Sequence, residues 1–136
     1  MPNYPAAVAA SLVTFFVGAP WYSKALFLSA WEREAHAPPR NEAQEKHAWL
    51  TFVVAYFASF VAACVLSVHL GSTAGVVEGT REGLLVGVGF VATSFAINYS
   101  FANRSAVLWA IDAGYHVLQF VLLGAVLGAA NQFLAS

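Results

Sequence analysis

Charge is the scarcest property of this sequence. Lys, Arg, Asp and Glu together supply 10% of its 136 residues, whereas a soluble domain carries roughly 25%. The formal net charge is −1, so the chain lacks the basic surface that a nucleic-acid-binding protein needs. Its one cysteine, Cys64, excludes an intrachain disulfide. It also lacks a glycine-rich phosphate loop and a nucleophile–base–orienter set, so neither an enzyme class nor a cofactor is predicted.

Hydrophobic residues, by contrast, make up 60% of the chain and occur in four long runs. Three runs contain no charged residue, and the fourth, 105–136, contains only Asp112. About 20 apolar residues cross a bilayer as a helix, and continuous runs do not fit the alternation of membrane β-strands. We therefore predict an all-α integral membrane protein, a single domain over 1–136, with four transmembrane helices at 4–23, 47–70, 77–101 and 106–133.

The segment after the first run predicts a short helix in the membrane interface. Pro20 lacks a backbone donor and favours a break near the end of the first span. Beyond it, apolar and aromatic residues recur at helical spacing between charged ones: Tyr22, Leu26, Phe27, Ala30 and Trp31. This pattern is typical of an amphipathic helix that lies on the bilayer surface.

Basic residues near the span ends predict the orientation of the chain, because they concentrate on the cytoplasmic side. Only Arg81 lies on the side of the second connection. The other five lie on the opposite side: Lys24, Arg33, Arg40, Lys46 and Arg104. We therefore expect both termini to lie outside the cell membrane.

Glycines recur every four residues in the last two spans: Gly79, Gly83 and Gly87 in one, and Gly124 and Gly128 in the other. Small residues at this spacing let two membrane helices approach closely. A hairpin centred at 103–104 places Gly83 opposite Gly124, Gly79 opposite Gly128 and Gly87 opposite Phe120. We predict that these helices pack closely, and the stripes also favour a homo-oligomer.

Asp112 and His116 are the best clue to function. Four residues apart on a helix, they share one face about 6 Å apart along the axis. Polar groups in a membrane span are costly and usually face a partner, a cavity or a pathway. Gln119 continues this face, and hairpin register adds Ser94 and Asn98 from the facing helix, so we predict a polar intramembrane site of these five residues. It either binds a cation or relays protons, or forms a buried network that fixes helix packing.

No metal centre is predicted at this site. Asp112 and His116 supply two ligands, whereas a closed zinc site needs about four. No other His, Cys or carboxylate of the first three spans is expected at that depth, so only an oligomer axis could complete a coordination shell.

Two aromatic motifs resemble those of a known family. Trp21, Tyr22, Ser23 and Trp31 fit the pattern W-Y-S-x-x-L-F-x-x-x-W, and Tyr99 and Arg104 fit N-Y-x-F-x-x-R. Gly114-Tyr115 is similar to part of the fourth helix of that family, a group of small prokaryotic membrane proteins defined only as a domain of unknown function. The family tends to carry proline after W-Y-S, where this chain has Lys24. The resemblance implies four helices in a prokaryotic inner membrane and implies no activity.

Two functions fit these features. One is a small transport or channel protein with a polar path along the fourth helix. The other is a non-catalytic accessory or scaffolding subunit, whose polar residues only hold the helices together. The lipid bilayer is the one partner that the sequence identifies.

Overall fold

Four helices are long and apolar enough to span a membrane: Tyr4–Trp21, Ala48–Leu70, Val76–Phe101 and Ala106–Ala135. The computed structural model describes residues 1–36 and 41–135, and in these ranges it holds helices and turns but no strand. The predicted all-α, four-span fold is confirmed. We call the end with the first and third connections between spans the connector end. The opposite end, where the chain starts and finishes, is the terminal end.

The first span, α1 (Tyr4–Trp21), ends one residue after Pro20, where the ring removes a backbone donor. A tight turn then leads into α2 (Leu28–Ala35), the short amphipathic helix expected after span 1. A further short helix, α3 (Glu42–Lys46), precedes the second span, α4 (Ala48–Leu70). Arg40, one of the basic residues that predicted the orientation, lies outside the described residues.

The third span consists of three pieces: α5 (Val76–Val86), a π-helical stretch (Gly87–Ala92) and α6 (Thr93–Phe101). The sequence analysis did not predict the π-helical stretch. In it, the Trp109 indole of α7 (Ala106–Ala135) donates to the carbonyl of Ala92 at 3.0 Å. The Thr93 hydroxyl likewise bonds back to the carbonyl of Gly89 at 2.8 Å. Side-chain donors of this kind satisfy carbonyls that the irregular winding frees.

The backbones of α5 and α7 touch along the glycine stripes. A Cβ atom built on Gly79 would collide with the carbonyl oxygen of Gly124, and one built on Gly128 would collide with that of Gly75. A Cβ on Gly83 would meet the backbone of α7 in the same way. We call this contact of Gly75, Gly79, Gly83, Gly124 and Gly128 the glycine seam. Because larger residues would force the backbones apart, the seam fixes α5 against α7.

The register of the seam differs from simple hairpin counting. The expected neighbours are near each other, since a Cβ on Gly124 would lie 3.4 Å from the Gly83 nitrogen and one on Gly79 would lie 3.5 Å from the Gly128 Cα. The closest contact of Gly79, however, is Gly124, one helical turn away from the predicted partner. A π-helix holds more residues per turn than an α-helix, so the stretch before α6 shifts the register in this direction.

The core lies where α1, α4 and α7 meet and is built mainly of small residues: Ala6, Ala7, Ala10, Ala63, Leu66, Leu123 and Leu127. In the most apolar 18-residue segment of α4, only 22% of the residues are buried inside the protein. Its outward face carries large exposed side chains such as Phe57 and Val61. In a bilayer, lipid would cover this face.

Candidate functional site

The carboxylate of Asp112 accepts three hydrogen bonds from aromatic side chains. The Tyr22 hydroxyl and the Trp31 indole donate to its Oδ1 at 2.8 and 3.0 Å, and the Tyr99 hydroxyl donates to its Oδ2 at 2.6 Å. We call these four residues the carboxylate cluster. Three donors fill most of the acceptor capacity of a carboxylate, so the cluster ties α6, α7, α2 and the turn before α2 together.

The break after α1 brings Tyr22 into reach of Asp112. The indole of the preceding residue, Trp21, donates to the Ile111 carbonyl of α7 at 3.1 Å. The same ring packs over Gly114, where an added Cβ atom would lie 3.3 Å from it. Burial, followed by the hydrogen bond to Asp112, raises the pKa of the Tyr22 phenol. The phenol therefore stays protonated and remains a hydrogen-bond donor.

Two polar contacts dock α2 on the connector end. Arg104 donates to the carbonyl of Ala35, the last residue of α2, at 2.9 Å. There its charge also complements the helix dipole. The Glu34 carboxylate accepts a hydrogen bond from Ser105, whose own oxygen accepts from the Leu108 backbone N–H in the first turn of α7. The Ser105 hydrogen bond, followed by the one from Arg33, lowers the pKa of Glu34.

His116, one turn further along α7, belongs to a separate chain of hydrogen bonds. Its Nδ1 lies 2.7 Å from the Gln119 side-chain oxygen, and the Gln119 amide donates to the Ser59 hydroxyl of α4 at 3.1 Å. Ser59 Oγ lies 3.0 Å from the Thr14 hydroxyl, which donates to the Ser11 carbonyl of α1. We call His116, Gln119, Ser59 and Thr14 the imidazole network.

The direction of this network sets the tautomer of His116. The Gln119 oxygen only accepts, so Nδ1 carries the hydrogen and Nε2 of the neutral ring carries a lone pair. Nε2 makes no hydrogen bond within the described residues. Every buried side-chain nitrogen or oxygen in that part of the chain has a hydrogen-bond partner. Because Nε2 has none, it is not one of these buried atoms. A primary amide does not readily pass a proton on, so the network orients the imidazole rather than conducting protons through Gln119.

Three adjoining clefts run along the inward face of α4. The first, about 590 Å³, lies near the connector end between α1, α4 and α7, with Phe15, Tyr22 and Tyr115 in its wall. The second, about 260 Å³, is lined by Ser59, His116 and Gln119. The third, about 640 Å³, lies towards the terminal end between α4 and α5.

These clefts are continuous in their lining. Phe15, Ala55 and Tyr115 line both the first and the second, and Ala62 and Phe120 line both the second and the third. At the far end of the third cleft, His69 and Glu82 lie 3.3 Å apart, and both side chains are partly exposed. The row of clefts therefore extends over nearly the whole length of α4.

The structure brings only part of the predicted polar site together. Asp112 and His116 both face the protein interior but belong to different networks, and Gln119 joins His116. Ser94 is exposed and bonds to its own helix at Phe90, and Asn98 is exposed without a hydrogen bond from its side chain within the described residues. Counting residues from the hairpin turn predicted that Ser94 lies at the same membrane depth as Asp112. Helical side chains lean towards the N-terminus, so the longer Tyr99 reaches that level from the next turn.

Sequence reasoning missed Thr14 and Ser59, which link the imidazole network to α1 and α4. A lone hydroxyl residue in an apolar run carries no signal of its own. The motif residues Tyr22, Trp31 and Tyr99 were noticed, but not as donors to Asp112. Of the other motif residues, Tyr115 donates to the Thr14 carbonyl at 3.3 Å and Ser23 to the Pro20 carbonyl at 2.7 Å. Among the described residues, no three His, Cys, Asp or Glu side chains are grouped as metal ligands would be.

Comparison with known proteins identifies the family but no activity. Neither a curated protein nor a solved structure matches the chain. A family model, described as a protein of unknown function (DUF1761), matches residues 5–128, which is nearly the whole chain. The four apolar helices agree with an integral membrane protein of unknown activity. The chain belongs to the DUF1761 family of proteins of unknown function.

Proposed function

We propose that this protein is a small membrane transport protein whose path is the row of clefts along α4. The observation that carries this proposal is that each cleft shares lining residues with the next, so that the row extends from Tyr22 in the first cleft to Glu82 in the third. Ligand sites in helical bundles lie between helices and combine apolar walls with a few placed polar groups. His116, Gln119 and Ser59 are such groups, half-way along the path.

The packing of α4 supports a path that opens and closes. Its long contacts are made with α1 and α7 through small residues such as Ala63, and no backbone collision like that of the glycine seam ties it down. Elements with few buried contacts open at low free energy. We infer that α4 moves against the rigid pair of α5 and α7 when the path changes its access.

Water access to the clefts tests this proposal. In a Cys64→Ser background, single cysteines at Ala55 and Ala62 place a thiol in the clefts, and cysteines at Val54 and Val61 place one on the exposed outer face of the same helix. We expect a water-soluble maleimide to label the cleft positions in intact membranes several times faster than their neighbours. Equal or faster labelling at Val54 and Val61 would reject the path.

We further propose that both termini lie outside the cell, in a prokaryotic inner membrane. Of the basic residues in the described ranges, four belong to the connector end (Lys24, Arg33, Lys46 and Arg104) and one, Arg81, to the terminal end, which supports a cytoplasmic connector end. A reporter fused to the C-terminus that is active only in the cytoplasm would overturn this orientation.

The second candidate function is an accessory subunit, and the carboxylate cluster favours it. Asp112 has three donors that fill most of its acceptor sites, as expected of a structural network. We also propose that the protein assembles as a homo-oligomer. The glycine stripes already pack against each other within one chain, so the exposed face of α4 would form the interface between subunits. Cross-linking of single cysteines on that face, followed by molecular-mass measurement, tests it.

A further inference from the structure

The walls of the third cleft restrict what could pass along the path. Between Ser59 and His69 the α4 helix rises about 15 Å. Apart from His69 and Glu82 at its end, the residues lining that cleft are apolar: Ala62, Val65, Leu66, Leu85, Val86, Phe90 and Phe120. An inorganic ion would lose its hydration shell there without replacement, which is very costly. The cleft instead suits a molecule with an apolar body of its own.

The polar groups facing the clefts select the head group of that molecule. The hydroxyls of Tyr22 and Tyr115 and the amide of Gln119 already donate within the protein. Acceptors, in contrast, have lone pairs to spare. His116 lines the middle cleft and its Nε2 makes no hydrogen bond within the described residues, and the Glu82 carboxylate at the terminal end, with Oε2 3.3 Å from His69, has further acceptor sites. No Lys or Arg lines any of the three clefts in the described part of the chain, so an anionic head would find no permanently charged cation there.

Aromatic rings around the middle cleft add attraction for a positive charge. Phe15, Tyr115 and Phe120 line it together with His116. The face of an aromatic ring attracts an ammonium group within about 6 Å, and the gain rises when the site is poorly hydrated. Apolar walls, free acceptors and aromatic faces therefore point to the same chemical class.

We infer that the ligand carried by these clefts is a small lipophilic amine, with His116 Nε2 and the Glu82 carboxylate as two successive acceptors for its ammonium N–H groups. The inference rests on the proposed transport function and names its substrate class. In the middle cleft, the imidazole held by Gln119 accepts from the ammonium while the rings cover its charge. At the terminal end, Glu82 accepts the same head group.

A matched set of probes tests the head group in nanodiscs. The probes are 4-phenylbutylamine, the neutral alcohol 4-phenylbutan-1-ol and the anion 4-phenylbutanoate, titrated calorimetrically against loaded and empty discs. We expect the amine to bind about tenfold more tightly than either analogue, as a desolvated cation–π contact and a hydrogen bond predict. Equal binding of the alcohol, or tighter binding of the anion, would overturn the inference.

Variants locate the binding within the clefts. His116→Leu and Glu82→Gln should each weaken binding of the amine about tenfold, and Ser100→Ala, on an exposed side chain outside the three clefts, should leave it unchanged. If His116→Leu does not fold, Ala62→Phe provides the same test, because it fills the junction of two clefts without removing a hydrogen bond. Amine binding that survives both Glu82→Gln and the cleft variants would overturn the assignment.

Flux measurements separate this inference from the proposed function. Proteoliposomes are assayed for movement of labelled 4-phenylbutylamine, sodium and protons in parallel. Amine movement that is lost in the cleft variants supports both claims. Movement of sodium or protons without the amine overturns the substrate class and leaves transport standing. Specific amine binding without any flux overturns transport and leaves the ligand class standing.

Discussion

The two polar groups of α7 lie one helical turn apart and have opposite surroundings. Asp112 accepts three short hydrogen bonds from three other segments of the chain, whereas His116 has one hydrogen-bond partner, Gln119, on its own helix, and its Nε2 has none within the described residues. The carboxylate cluster is closed and holds the connector end together. The imidazole network is open on one side. A shared helix face therefore does not imply a shared hydrogen-bond network.

The glycine seam underlies both clusters, because it positions the helix that carries them. Gly124→Leu would drive a side chain into the backbone of α5 at Gly79. We expect it to lower the free energy of unfolding by about 4 kcal/mol or more and to disturb both clusters at once. Thermal melting in detergent measures the loss. Gly89→Leu is the matched control, since a Cβ there meets nothing within 4 Å, and an equal loss in both variants would refute the seam.

Replacing Asp112 and His116 one at a time compares their contributions to the free energy of unfolding. Asp112→Leu leaves three donors without an acceptor, and we expect a loss of about 3–5 kcal/mol. His116→Leu removes one hydrogen bond and leaves the Gln119 oxygen unpaired, which should cost about 1–2 kcal/mol. Chemical unfolding in mild detergent gives both values, and Asp112→Asn, which keeps one acceptor oxygen, should fall between them. If His116→Leu were as damaging as Asp112→Leu, the contrast between a closed and an open cluster would be wrong.

The donors of the carboxylate cluster can be removed one at a time. Tyr99→Phe and Tyr22→Phe each delete a hydrogen bond to a charged acceptor, so each should cost about 1.5–3 kcal/mol. Tyr115→Phe deletes a longer bond to a neutral carbonyl and should cost about 0.5–1.5 kcal/mol. Tyr56→Phe serves as the neutral control in the same assay. A loss in Tyr115→Phe that exceeded the loss in Tyr99→Phe would show that the charge on Asp112 adds nothing.

Sequence reasoning recovered the spans of this fold and few contacts of its site, for physical reasons. The four spans could be predicted because the length of an apolar run reflects the thickness of the membrane. The break before α2 could be predicted because Pro20 lacks a backbone donor. The donors to Asp112 lie 90, 81 and 13 residues away in the chain, and no periodicity encodes such contacts. The π-helical stretch was not predicted either, and the Trp109 indole that bonds to its Ala92 carbonyl comes from another helix.

The smallest expected effect concerns the edge of the carboxylate cluster, where Glu34 helps to hold α2 and hence Trp31 in place. The Ser105 hydrogen bond and Arg33 lower the pKa of Glu34. A carboxyl whose pKa is lower in the folded state stabilises the fold above its unfolded pKa, near 4.3, and this contribution is lost as the pH falls through the lower, folded value. The melting temperature of the wild-type protein should therefore approach that of Glu34→Gln as the pH falls below about 4 and exceed it slightly at pH 7. Glu32→Gln, which removes a neighbouring exposed carboxylate of α2, is the matched control. A difference between wild type and Glu34→Gln that grew on acidification would have the wrong sign and would exclude the Ser105 contact as its cause.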